Sequence, residues 1–150
     1  MKLTAAHLKC DLMWYFRFKR QWVCADEVQN RDILVDCKKF FMEVEVKISK
    51  SDLVIGEAKK QKHERMWDNR FEANRFALCV PESMYLFAEE WILKTNPKYG
   101  LFVRLDNGDI WVRRTAKNLH DNYNLDFKEY LLKRLSSSII LKMRRMIYPV

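Results

Sequence analysis

Between Phe40 and Ile48 the chain alternates apolar and charged residues with a period of two: Met42, Val44 and Val46 against Glu43, Glu45 and Lys47. That period belongs to a β-strand, whose successive side chains point to opposite faces. The segment is therefore expected to bury one aliphatic face and to turn two carboxylates and an amine to the other. A surface strand with a solvated charged face is the bland form of this pattern. A strand placed centrally among other elements is the demanding form, because there the three charges need partners.

The flanking sequence predicts such neighbours. Ala5, Leu8, Leu12, Tyr15 and Phe16 recur at helical spacing, with Thr4 as a candidate N-cap. Trp22–Val28 and Asp32–Cys37 read as strands separated by a turn at Asn30. After the alternating strand, Ser49 or Ser51 is placed to cap a helix that carries Asp52 in its first turn and runs to about Phe71. Phe76–Val80 is an apolar run ending at Pro81, and Ser83–Lys94 reads as a helix with Met84, Phe87, Ala88 and Trp91 on one side. Tyr99–Leu105 and Ile110–Arg113 flank Asn107-Gly108, a strong hairpin signal. A last helix is expected from Asp126 to about Met146, with Phe127, Tyr130, Leu131 and Leu135 on its apolar side. Alternation of this kind predicts an α/β (α+β) domain: a mixed central sheet flanked by helices, with an Asn-Gly hairpin and a C-terminal helix.

The chain's 150 residues favour one domain, and three glycines with three prolines leave little room for long loops. The formal net charge of +8 points to a polyanionic partner, nucleic acid first and an acidic membrane surface second. No run of 18 apolar residues and no secretory h-region are read in the sequence, so a cytoplasmic or nucleus-associated protein is expected, with no membrane partner. Cys10, Cys24, Cys37 and Cys79 form no CxxC pair and each lies in an apolar stretch, where a free thiol packs as a small hydrophobe. P-loop, Rossmann, HExxH and GxSxG signatures are missing.

If the second and third strands pair, Asp32 and Glu45 approach each other at one end of the sheet. Two carboxylates, a backbone carbonyl and waters suit Mg²⁺ (or Mn²⁺), which takes oxygen ligands and keeps several waters. Lys47, two residues along, shares that face and can orient or help deprotonate an attacking water beside a phosphate.

Asp32 followed by Glu45-Val46-Lys47 on the next strand resembles the PD-(D/E)XK nuclease signature, with Arg31 where that superfamily often has proline. The wider order ADEVQNRDILV, FFMEVEVKISKSDL, a Lys-rich helix, NRFALCVPESM and PKYGLFVRLDNGDIWVRR resembles the MmcB-like DNA repair branch, over about residues 23 to 115. The resemblance implies a restriction-endonuclease-like core over about 4–115, a closing helix over about 126–147, and Mg²⁺-dependent hydrolysis of DNA phosphodiester bonds. Asp32 and Glu45 would hold the metal and Lys47 would be catalytic. Glu27 would be an additional acidic ligand, although an exposed Glu beside a turn reads equally well, and Glu43 is a supplementary candidate.

Lys59, Lys62 and His63, on the helix after the motif strand, are candidates for phosphate contacts, each adding salt-dependent affinity. Trp14, Tyr15, Phe16, Trp22, Trp67, Trp91 and Trp111 are able to stack on bases, but most sit at core spacing. The apolar pattern around Met143–Met146 is too poor to favour a membrane-surface helix. Three readings follow: a DNA endonuclease, with a homodimer as one assembly compatible with the fold; a non-cleaving DNA-binding or accessory protein; and an interaction domain with a solvated charged strand.

Overall fold

The computed structural model describes residues 2–58, 63 and 73–150. The chain opens with helix α1 (Ala5–Trp14), which runs into a single π-turn (Tyr15–Lys19). Thr4 precedes α1 in extended conformation, and its backbone N–H donates to His7 Nδ1 at 3.1 Å. Strands β1 (Val23–Val28) and β2 (Arg31–Asp36) form a tight hairpin through Gln29 and Asn30. Both turn residues have positive φ (49° and 64°), the sense that matches strand twist in two-residue hairpins. The alternating segment is β3 (Phe41–Val46), followed by α2 (Lys50–Ala58). Ser49 caps α2, its Oγ accepting the N–H of Asp52 at 3.1 Å. The expected continuation of this helix to about Phe71 lies outside the described residues, as do Lys59, Lys62 and Trp67.

Strand β4 (Arg75–Pro81) leads through a short 3₁₀ turn (Glu82–Met84) to α3 (Tyr85–Thr95). Strands β5 (Gly100–Arg104) and β6 (Ile110–Arg114) follow, and then α4 (Asp126–Ile147). The six strands lie in sequence order, β1-β2-β3-β4-β5-β6. β1–β2–β3 are antiparallel, β3–β4–β5 parallel, and β5–β6 antiparallel. The fold is α+β: a mixed six-stranded sheet flanked by four α-helices among the described residues, the last of them long.

Helix α1 covers one face of the sheet, where Leu8, Leu12 and Phe16 pack with Ile33, Val35, Met42, Val44, Val46, Cys79 and Phe102. On the other face, Leu53 of α2 and Ala88 and Ile92 of α3 pack with Phe76, Leu78, Val80, Tyr99 and Leu101. The first turns of α4 seat Phe127 and Leu131 against Ala25, Leu34 and Phe41. Gly100 lies against the segment after β6: a Cβ there would come within 2.8 Å of the Ala116 backbone nitrogen. Two expectations need correction. Cys10 is exposed rather than packed, because it lies on the outer side of α1. Trp14 and Trp111 are also solvent-facing, at 55% and 37% exposure. Among the described residues no helix is long and apolar enough to cross a membrane.

Candidate functional site: a buried acid–lysine cluster at the carboxyl end of β3

β3 is the third of six strands, and helices pack on both faces of the sheet, so every one of its positions is buried. Its charged residues are therefore buried: Glu43 and Glu45 are each 1% exposed and Lys47 is 5% exposed. A solvated charged strand does not describe this molecule. β2 pairs with β3 through Ile33 opposite Val44 and Leu34 opposite Glu43. One further step sets Asp32 beside Glu45, on the face shared by opposed residues of an antiparallel pair.

The two carboxyls lie close enough for the charge of Glu45 to act on Asp32. Asp32 Oδ2 also accepts the N–H of Val46 at 2.8 Å, which fixes the carboxyl against the end of β3. Burial and then the Glu45 charge push the Asp32 pKa upward; the Val46 hydrogen bond and Lys9 oppose this but do not cancel it. Lys9 of α1 reaches over the same edge, 3.4 Å from Asp32 Oδ1 and hydrogen-bonded to Glu27. Burial lowers the pKa of Lys9, but its bonds and charge interactions with Glu27 and Asp32 outweigh that and raise it. Glu27 is thus linked to Asp32 through Lys9, with its own side chain 55% exposed.

Lys47 continues the register of β3, its N–H donating to Cys79 O at 3.0 Å. Its ammonium lies 2.8 Å from Glu57 Oε1 and 3.9 Å from Asp52 Oδ1, both on α2. Gly56 gives it room, since a Cβ there would stand 3.2 Å from Lys47 Nζ. The other oxygen of Glu57 is 2.6 Å from His63 Nε2, and His63 Nδ1 is 2.7 Å from the Tyr99 hydroxyl. Burial and the charges of Glu43 and Glu57 push Tyr99 well above the usual phenol range, so its neutral O–H serves as donor to Nδ1. That leaves the Nε2–H to donate to Glu57, a tautomer assigned from the network. Glu43 lies 3.5 Å from Arg31 Nε, and the Arg31 guanidinium sits 5.0 Å over the Phe127 ring of α4.

The structure therefore sets Asp32 beside Glu45, with Glu27 joined at the rim through Lys9, while the ammonium of Lys47, two residues along β3, turns to Glu57 and Asp52 of α2. His63 is turned inward, 13% exposed at its side chain and ringed by Phe76, Trp91 and Tyr99. Glu57 and Tyr99 belong to the cluster although sequence reasoning did not select them. A signal for Glu57 existed: it follows Leu53 by four residues and so shares the inward stripe of α2.

Among the described residues no group of three or more His, Cys, Asp and Glu closes to metal-binding spacing. The donors that do converge, two carboxylates, are of the hard oxygen type that Mg²⁺ takes together with several waters. Burial and then the charge of Glu45 raise the Asp32 pKa, and a divalent cation favours the ionised form of such a carboxyl.

No protein-family model matches the chain. A search of curated proteins finds no match. Among solved structures, the chain is similar to SPO1766 from Silicibacter pomeroyi, a protein of unknown function, with a TM-score of 0.66 at 15% identity over 99% of this chain and 95% of that one. A likeness at that identity concerns the fold, and it extends over the whole six-stranded arrangement with its helices.

Proposed function

We propose that this chain is a metal-dependent endonuclease acting on DNA, of the PD-(D/E)XK type its sequence resembles, in a repair or mobile-element setting. The observation that carries the reading is the side-by-side pair of Asp32 and Glu45 at the carboxyl end of β3, with Lys47 following on the same strand. The carboxyl ends of parallel strands are where open α/β sheets present their ligands. The net charge of +8 suits a phosphate backbone.

In this reading Asp32 and Glu45 hold Mg²⁺ or Mn²⁺, which when bound acidifies a water and polarises the scissile phosphate. Asp32 is oriented by the Val46 amide, and Glu45 by its place in the sheet. Lys47, anchored by Glu57, supplies a positive charge beside the phosphate and orients the attacking water. Lys9 would balance the charge at the Asp32 edge. Lys59 and Lys62 would contact flanking phosphates. The inward-facing His63 would act on Glu57, and through it on Lys47, rather than on DNA.

A second reading, a DNA-binding protein on the same fold that does not cut, draws support from the burial of Glu45 and from the Lys47–Glu57 ion pair, which occupies the amine. Plasmid nicking with Mn²⁺ separates the two. Product from the wild type that disappears in Glu45→Gln and Lys47→Ala supports the nuclease. Salt-sensitive DNA binding without product, unchanged by those substitutions, supports the binder and rejects the nuclease.

A further inference from the structure

Of the tryptophans that sequence reading assigned mainly to the core, Trp14 and Trp111 face solvent, and they line the same groove. The groove has a volume of about 510 Å³, within the range of small-molecule clefts. It runs between the end of α1, where the π-turn begins, and the tip of the β5–β6 hairpin at Gly108 and Ile110. A π-turn is an irregularity that recurs at functional positions.

Each tryptophan is braced. Trp14 packs on Phe18 with ring centroids 5.5 Å apart, and Trp111 packs edge-on against Tyr85 at 5.4 Å. Each also carries a cation: Lys19 Nζ lies 5.7 Å from the Trp14 ring, and the Arg113 guanidinium, itself held by Glu89 at 2.7 Å, lies 5.4 Å from the Trp111 ring. Exposed Arg17 lies on the same π-turn as Lys19. Two acids also line the groove. Asp11 is held by Arg104 at 2.9 Å, and Asp109 accepts from the Asn107 side chain at 3.0 Å. Carboxylates in the lining repel phosphate but accept hydrogen bonds from the exocyclic amines of nucleobases. A lining of aromatics, acceptors and Lys19 suits unpaired nucleic acid, whose bases stack on aromatic rings while its phosphates take cations.

We propose that this groove binds an unpaired nucleobase of a single-stranded nucleic acid, stacked on Trp14 and Trp111, with Lys19 and Arg17 on the flanking phosphates. The inference rests on the reading above only for the class of partner. α1 links the two places: Lys9 reaches Asp32, and two residues later Asp11 reaches Arg104 at the end of β5.

The test is fluorescence anisotropy of a fluorescein-labelled deoxyadenylate dodecamer with the full chain in EDTA, where no cutting occurs. Parallel arms use the same oligomer as duplex, as an abasic strand and as RNA. Wild type should bind the single strand, DNA or RNA, about tenfold more tightly than the duplex or the abasic strand. Trp14→Ala and Trp111→Ala should each weaken binding by about tenfold, with Trp14→Tyr restoring most of it. Far-ultraviolet circular dichroism of each variant excludes misfolding as the cause. Equal affinity for the abasic strand or the duplex, or tryptophan variants that bind like wild type, overturns the proposal and leaves the nuclease reading standing. Tryptophan-dependent binding by a protein that never nicks with Mn²⁺ does the reverse.

Discussion

The ammonium of Lys47 stands 2.8 Å from Glu57 Oε1 in the interior of the protein, with each side chain less than a tenth exposed. This pair joins β3 to α2 and fixes where the amine of the Glu45-Val46-Lys47 motif points. Breaking a buried pair costs far more than an exposed one, because the remaining charge keeps its desolvation cost. Lys47→Ala should therefore lower unfolding free energy in urea by about 3 kcal/mol. His63 continues to engage Glu57, which holds the loss toward the low end. The double variant Lys47→Met with Glu57→Leu should recover at least half of that loss; additive single effects would show that the pair is not coupled.

Asp32 carries a raised pKa because it is buried beside Glu45. The folded protein therefore keeps the Asp32 proton to higher pH than the unfolded chain does. The stability this gives is complete below the ordinary carboxyl range and is lost as pH rises through the raised folded value. Asp32→Asn should accordingly raise the melting temperature of metal-free protein at neutral pH, while Mn²⁺ should raise that of the wild type alone. A variant that melts lower than the wild type in EDTA would contradict the repulsion between the two carboxyls.

Gly56 leaves 3.2 Å between a notional Cβ and Lys47 Nζ. Gly56→Ala gains helix propensity, worth up to about 1 kcal/mol, but presses on the amine. Stability should stay within about 1 kcal/mol of wild type. Nicking activity should fall about tenfold, as expected for a displaced catalytic group. Unchanged nicking rates would mean that the position of Lys47 is immaterial.

Asn74 is buried, and its side chain ties the sheet to the segment after β6. Its Oδ1 accepts the Phe41 N–H at 3.0 Å, and its Nδ2 donates to the His120 and Asn122 carbonyls at 3.1 and 3.0 Å. Asn74→Ala strands these backbone groups and should cost about 3 kcal/mol, with faster amide exchange of Phe41 and of the segment around residues 117–124. Exchange that stays as slow as in the wild type would remove Asn74 from this role.

The four thiols differ in exposure. Cys10 is exposed, whereas burial pushes Cys24 up to about 11 and Cys37 up to about 12, and raises the fully enclosed Cys79 further. At pH 8 the native protein should react rapidly with Ellman's reagent at one site, and the denatured chain at four. Cys10→Ser should abolish the rapid phase.

The elements were legible because their signals are local. Period-two alternation, the Asn107-Gly108 turn and serine capping before Asp52 need only a few neighbouring residues, so β3, the β5–β6 hairpin and the start of α2 lie where the sequence puts them. The approach of Asp32 to Glu45 followed from a single assumption, that β2 pairs with β3, since opposed residues share a face. The sequence by itself determined which residues alternate, where the chain turns, and which two acids face each other on adjoining strands. Only the tertiary structure decided that the charged face of β3 is covered, that Glu57 and Tyr99 close the cluster from α2 and from the start of β5, and that two tryptophans at helical and strand spacing are left in solvent. The physical reason is that periodicity tells which residues share a face, while burial depends on what other elements, distant in the chain, come to lie upon it.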